Sequence, residues 1–334
     1  MVLDIQLHLR KQWYNREKHK LENLLSFLEW KPYLFSIAYR ITGSYADAED
    51  ILQESYLKWL SVNHTKVENP KSYLGSIVAR LAFDLLKKAS RKRETYIGPY
   101  LPEPIPEFTS SIDDEKINFA FLVLLETLNP FERAVFLLRE SFDFDFELIS
   151  KIIGKTPGYT RKILSRAKQA LKERRKKFDP DPKHQEKLLM EFSLACIKQD
   201  TNALSQLLKE DVIAYSDGGG KVHAARIPIP GIIRVITFLK QTTKKVINSS
   251  TVYFGYANGS PITIGYGKDG FPNFVQFIMI EGNKISEILT IANPDKLKGF
   301  QNKDQLRKLG YIRKPNYFHL VYLWIKNKIL NFSK

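Results

Sequence analysis

The sequence predicts a multidomain chain with two all-α helical domains in its first half and a small α+β domain behind them. Three observations lead there. Apolar residues recur at helical spacing from Leu21 to Arg93 and again from Ile117 to Leu171. A proline-bearing segment separates those stretches, and beyond residue 184 helices give way to alternating strands punctuated by Gly turns. A length of 334 residues is too great for one ordinary core and fits two or three domains. The boundaries read from these changes are 20–96 and 117–178 for the helical domains, 97–116 for the linker between them, 184–300 for the α+β domain and 301–334 for a tail.

In the first domain, Leu34, Ile37, Ala38 and Ile41 carry a helix that stops at Gly43, where a residue without Cβ takes the left-handed conformation. Ser44 and Asp47 form a capping pattern for the next helix, whose inner face is Ala48, Ile51, Leu52, Ser55, Tyr56, Trp59 and Leu60. Asp47, Asp50 and Glu54 gather on its outer face. Asn69 and Pro70 open a third helix with a stripe from Tyr73 to Leu86 that ends in the basic run Lys87 to Arg93. The linker carries Pro99, Pro102, Pro104 and Pro106, which exclude a helix and favour extended backbone.

The second domain begins with apolar spacing through Phe121, Leu122, Leu125 and Leu128, then a helix from Pro130 carrying Ala134, Val135 and Leu138. The piece Phe146 to Ile153, the turn Gly154-Lys155-Thr156-Pro157 and a helix through Ile163, Leu164, Ala167 and Leu171 follow the order of a helix-turn-helix. Arg161, Lys162, Arg166, Lys168, Lys172, Arg174, Arg175, Lys176 and Lys177 on that last helix face one acid, Glu173. The chain has a net charge of +16, which suits a polyanion, yet a basic proteome would give the same total. The position of the charge on this helix points to nucleic acid.

The last domain is expected to hold helices at Gln185–Gln199, Leu204–Leu208 and Ile232–Lys240, with a strand at Val212–Tyr215. A meandering antiparallel sheet follows: Val246–Tyr256, Ile262–Tyr266, Phe274–Ile280 and Ile285–Ile291, with turns at Asn258-Gly259, Asp269-Gly270 and Glu281-Gly282-Asn283. The apolar run Tyr317–Ile325 in the tail is too short to span a bilayer and reads as a helix packed on the preceding domain. Cys196 has no second cysteine to pair with and sits in an apolar helical run, which indicates a buried thiol in a reducing compartment. Met1 to His19 lacks the apolar centre of a secretion signal, and the expected location is cytoplasmic.

The run Leu34 to Glu54, with Tyr39-Arg40-Ile41-Thr42-Gly43 and Asp47-Ala48-Glu49-Asp50-Ile51-Leu52-Gln53-Glu54 at its centre, closely resembles region two of extracytoplasmic-function sigma factors. Leu128 to Glu140 with the helix-turn-helix resembles region four of the same family. Tyr100-Leu101-Pro102-Glu103-Pro104, Asp217-Gly218-Gly219-Gly220-Lys221 and Asn293-Pro294-Asp295-Lys296-Leu297 are similar to signatures of a subgroup with a fused SnoaL-like domain.

The resemblance implies a cone-shaped, nuclear-transport-factor-2-like fold for that domain, and two partners, core RNA polymerase and promoter DNA, with no cofactor or metal. It implies that Asp47, Asp50, Gln53 and Glu54 dock on the clamp helices of the polymerase large subunit. It also implies that Asn63, His64, Asn69, Arg80, Asp84 and Lys87 engage the melted promoter strand, where a pocket and a positive track offset unstacking. Thr160, Arg161, Lys162, Ser165 and Arg166 would then read the upstream element in the major groove, while the three subgroup signatures would make regulatory contacts. Pro157-Gly158 departs from the more helical residues expected there, which leaves the register of this helix open. Two rivals stand beside this reading: a pocket enzyme or ligand sensor using Asp217 or His223, and a stand-alone repressor.

Overall fold

Capping side chains supplied by the sequence set the helix boundaries. In the computed structural model, which describes residues 24–62, 67–107, 118–175, 182–302 and 308–312, helix α1 occupies 24–42. Gly43 follows with a φ of 72° and donates its N–H to the Tyr39 carbonyl at 2.8 Å. Ser44 Oγ accepts from the Asp47 N–H at 3.2 Å to start α2 (Tyr45–Leu60). Asn69 Oδ1 accepts from the Ser72 N–H at 3.0 Å to start α3 (Pro70–Arg93). Leu34, Ile37, Ile41, Ile51, Leu52, Trp59, Leu74, Val78 and Phe83 bury the inner faces of these three helices.

Asn118 caps α4 (Phe119–Leu125). Asn129 and Glu132 form a full capping box on α5 (Pro130–Glu140). Helix α6 (Phe146–Ile153) ends on Gly154 at φ 67°, and α7 (Pro157–Arg175) starts with Thr156 Oγ1 accepting the Tyr159 N–H at 3.3 Å. Pro157 therefore stands at the helix start, where its missing N–H costs nothing. The described residues fall into two units by contact. Unit one comprises the chain up to Lys92 with Thr127–Leu171, and unit two comprises Arg93–Glu126 with the chain from Lys172.

Unit two holds α8 (Pro182–Lys198), α9 (Thr201–Leu207), β1 (Leu208–Asp217), β2 (Ile229–Pro230) and α10 (Ile232–Ser249). Strands β3 (Ser250–Ala257), β4 (Ser260–Gly267), β5 (Pro272–Glu281), β6 (Lys284–Ile291) and β7 (Lys308–Ile312) complete the sheet, whose order is β2-β1-β6-β5-β4-β3-β7. Leu188, Leu189, Phe192 and Cys196 of α8 pack with Val235, Ile236 and Leu239 of α10 on Phe254, Ile278 and Ile288 of the strands. Register shifts at Gly265/Tyr266 and Met279/Ile280 mark bulges that bend the sheet around this core. Burial pushes the Cys196 thiol up to about 12.

Several expectations need correction. Val246 belongs to α10 rather than to a strand, because Val235, Ile236, Leu239 and Val246 keep helical spacing and the Thr242 hydroxyl bonds back to Phe238 O at 2.9 Å. The β-branched composition of that stretch was outweighed by its packing. The sheet is not purely a meander, since β1 lies parallel to β6, and the tail contributes β7, paired antiparallel with β3. Leu208 starts β1 instead of ending a helix. Asn63, His64, residues 108–117 of the linker and Tyr317–Ile325 lie outside the described residues.

Candidate polymerase, DNA and linker-docking surfaces

On α2, Ala48, Ile51, Leu52, Ser55 and Trp59 turn inward, and the 3.6-residue repeat therefore leaves Asp50, Gln53, Glu54 and Leu57 outward. Leu57 is 66% exposed and gives this acidic face one apolar side chain. Asp47 lies at the first turn and is half-buried. Glu54 pairs with Lys58 at 2.8 Å, a bridge between exposed groups.

On α3, Arg80 and Asp84 are exposed one turn apart, and Lys87, half-buried, sits 5.2 Å from the Phe83 ring centroid. Asn69 is exposed at the helix start. On α7, Ile163, Leu164 and Ala167 are buried, while Arg161, Lys162, Ser165 and Arg166 face solvent. Thr160 departs from its expected place. It is fully buried, with its hydroxyl on Thr156 O at 2.9 Å, because it falls one turn before Leu164 on the inner face.

The linker in unit two is docked along its described length. Asp217, fully buried at the end of β1, accepts from Tyr96 OH at 2.5 Å, Leu101 N–H at 3.0 Å, Gly219 N–H at 3.1 Å and Lys296 Nζ at 2.7 Å. Four donors match the roughly four lone-pair sites of a carboxylate. Lys296 also donates to the Leu101 carbonyl and stands 3.4 Å from the Tyr100 ring centroid. Burial, then the bond to Asp217, holds the Tyr96 hydroxyl well above the usual phenol range. Asn293 donates to Tyr96 OH at 3.1 Å. A Cβ on Gly219, whose φ is 59°, would stand 2.3 Å from Asn293 Nδ2, so this turn requires glycine. Lys221 pairs with Asp295, both half-exposed. Leu101, Pro102, Glu103 and Pro104 are all buried, as is Leu297.

Further along, the linker adds a short antiparallel rung to β3. Asn258 N–H donates to Ile105 O at 3.0 Å, Glu107 N–H donates to Tyr256 O at 2.9 Å, and Pro106 bridges Ala257. Asn258 Oδ1 accepts from Ile105 N–H at 2.7 Å, and Glu107 Oε1 accepts from Gly259 N–H at 2.8 Å. Phe119 of α4 stacks on Phe277, 3.8 Å between centroids.

Tyr96, Asn258, Glu107 and Leu57 were missed in the sequence. Asn258-Gly259 signalled a hairpin and correctly so, with φ of 49° and 70°, but the linker contact of the Asn258 side chain carried no separate signal. Asn258→Gly should keep the turn and cost about 1 kcal/mol for the lost linker bond, whereas Asn258→Ala should cost about twice that by adding backbone strain. Thermal unfolding of the two variants checks this order.

Two modules of unit one expose acidic and cationic helix faces around a helix-turn-helix, and unit two clamps the connecting segment; these are the parts of a DNA-dependent initiation factor. The Sigma-70 region 2 family model matches residues 27–92. The ECF RNA polymerase sigma factor SigJ of Mycobacterium tuberculosis is 31% identical over 297 residues, covering 82% of this chain and 93% of the relative. The probable ECF RNA polymerase sigma factor SigI of the same organism is 26% identical, covering 80% and 92%. A crystal structure of Mycobacterium tuberculosis SigJ aligns with a TM-score of 0.66 at 29% identity, covering 83% of this chain and 98% of that one. The chain belongs to the ECF RNA polymerase sigma factors. Among the described residues no helix is long and apolar enough to cross a membrane.

Proposed function

We propose that this chain binds core RNA polymerase through the outer face of α2, reads a two-part promoter, promotes its melting, and is regulated by its own C-terminal domain. Asp50, Gln53 and Glu54, with Asp47 at the edge, supply the docking face, and Leu57 adds an apolar anchor. Asn69, Arg80, Asp84 and Lys87 serve the melted strand. Arg161, Lys162, Ser165 and Arg166 enter the major groove upstream, where arginine and lysine match guanine edges and phosphates. Thr160 belongs to the helix core and has no part in readout.

The observation that carries the reading is the sorting of charge by helix within unit one. An acidic and apolar face on α2 and a cationic face on α7 lie outside cores that bury Ala48, Ile51, Leu52 and Trp59 of the first and Ile163, Leu164 and Ala167 of the second. The regulatory part rests on the Asp217 cluster, whose donors come from the linker and from the Gly219 and Lys296 signatures together. A carboxylate so fully satisfied suits a clasp better than a catalytic base. Purified protein with core polymerase on a genomic template pool should yield promoter-specific transcripts; no transcript above core polymerase alone would refute the proposal.

A further inference from the structure

The cations on the outer face of α7 are not equally restrained. The exposed side chains of Lys162 and Arg166 make no hydrogen bond, ion pair or ring contact among the described residues. Arg161 differs. Its Cζ lies 5.0 Å from the Phe146 ring centroid, and its Nη2 stands 3.9 Å from Glu147 Oε1, both at the start of α6. The same ring carries a second cation, since Arg139 Cζ is 5.2 Å from its centroid. Arg139 Nη1 also donates to Phe144 O at 2.9 Å and pairs with Asp143 at 3.3 Å, which fixes it in the turn between α5 and α6.

The core of the motif does not need Phe146. It is half-buried at the first position of α6, where Asp145 Oδ1 caps the helix by accepting the Leu148 N–H at 2.6 Å, and Ile149, Ile152 and Ile153 supply the buried face. An arginine over an aromatic face is held by the ring quadrupole, and the N–H groups at the rim of its guanidinium stay available to a further partner. An unrestrained arginine loses rotamer freedom when it meets a base edge, and one already confined loses less. Glu147 gives the cation a counter-charge in the free chain. At 3.9 Å, with both side chains more than half exposed, that pairing is weak enough to be exchanged for a base acceptor.

We propose that Phe146 is the positioning residue that sets Arg161 to read one guanine of the upstream element, with Arg139 anchoring the ring. Arginine matches the O6 and N7 acceptors of guanine with two N–H groups. The recognition helix of a helix-turn-helix meets base edges with its N-terminal residues, and Arg161 is the fifth residue of α7. The inference rests on the reading of α7 as the helix that enters the groove.

Selection by the assembled enzyme tests it. Core polymerase with the full chain is offered a promoter recovered from the genomic pool, randomised across its upstream element, and sequencing of the bound duplexes gives the preference at each base pair. The parent should favour guanine at a position where Arg161→Met shows no preference. There Phe146→Leu should lower the preference about fivefold with the other positions kept, while Phe146→Tyr, which retains the ring, should keep it. Arg139→Gln, which leaves the ring without its anchor, should lower it about twofold and provides a second variant should Phe146→Leu unfold. Parental preference at that position in both Phe146→Leu and Arg139→Gln would overturn the inference. So would an equal loss at every position, which marks a structural role alone, or an Arg161→Met chain weakened on all sequences alike, which marks a phosphate contact. A parent that recovers no promoter, or selects no base in the upstream element, places the fault in the sigma-factor reading or in that of α7, and the inference falls with it.

Discussion

Reversal of Asp50 and Glu54 to lysine is expected to weaken binding to core RNA polymerase about a thousandfold, on the basis of roughly 2 kcal/mol or more for each charge turned against its partner in a closed interface. The fold should not notice. Both side chains are exposed, and the one intramolecular bridge lost among the described residues, Glu54 to Lys58 at 2.8 Å, is of the i,i+4 surface kind worth about 0.3–0.5 kcal/mol. Reversal of Glu210, exposed on β1 in the other unit, serves as the control and should leave binding unchanged. Surface plasmon resonance against immobilised core enzyme, with thermal unfolding alongside, checks the prediction. Undiminished binding by the double variant would remove α2 as the docking helix.

How much of this was legible beforehand depends on whether a residue's partner lies near it in sequence. Ser44, Asn69, Asn129, Gly43 and Gly154 act within a turn of themselves, and each helix boundary they set was readable from the sequence. The same holds for Asp50, Gln53 and Glu54 of α2, which follow from the inward residues by helical period, but not for Leu60, which was placed on the inner face and is 40% exposed at the helix end. Thr160 failed because the register after the Pro157-Gly158 start was left open, although its i+3 and i+4 neighbours Ile163 and Leu164 place it on the inner face. Val246 failed because the strand-like composition of Thr242, Thr243 and Val246 was weighed above the helical spacing that Val246 keeps with Val235, Ile236 and Leu239. The linker clasp joins positions more than a hundred residues apart, such as Leu101 with Asp217 and Ile105 with Asn258. Its motifs could be picked out singly, but that their donors and acceptors answer one another could not. Arg133 is the clearest case: nothing local marks an arginine of α5 for burial, and the Arg40 carbonyl that accepts from its Nε and Nη2 lies in α1.

Within the clasp, Asp217→Leu should destabilise the full chain by about 3–5 kcal/mol, because it leaves the Lys296 ammonium buried without its counter-charge. Lys296 is 8% exposed and cannot simply swing into water. The same substitution strands the Leu101 and Gly219 N–H groups and the Tyr96 hydroxyl, so the linker should come off its seat. Lys296→Met is milder. It leaves Asp217 with three neutral donors and costs chiefly the ion pair and the bond to Leu101 O. The combination discriminates charge burial from lost shape. Adding Lys296→Met to Asp217→Leu should recover stability relative to Asp217→Leu alone, since an uncompensated cation is replaced by an apolar chain of similar length. It should not recover linker docking, because the N–H donors of Leu101 and Gly219 still lack an acceptor. Thermal unfolding reads the first effect. Limited proteolysis across residues 96–107 reads the second, and under the regulatory role proposed above transcription with core polymerase should change several-fold in both Asp217 variants. If the double variant is less stable than Asp217→Leu, the ammonium was never the dominant cost, and the cluster is held by its neutral hydrogen bonds instead.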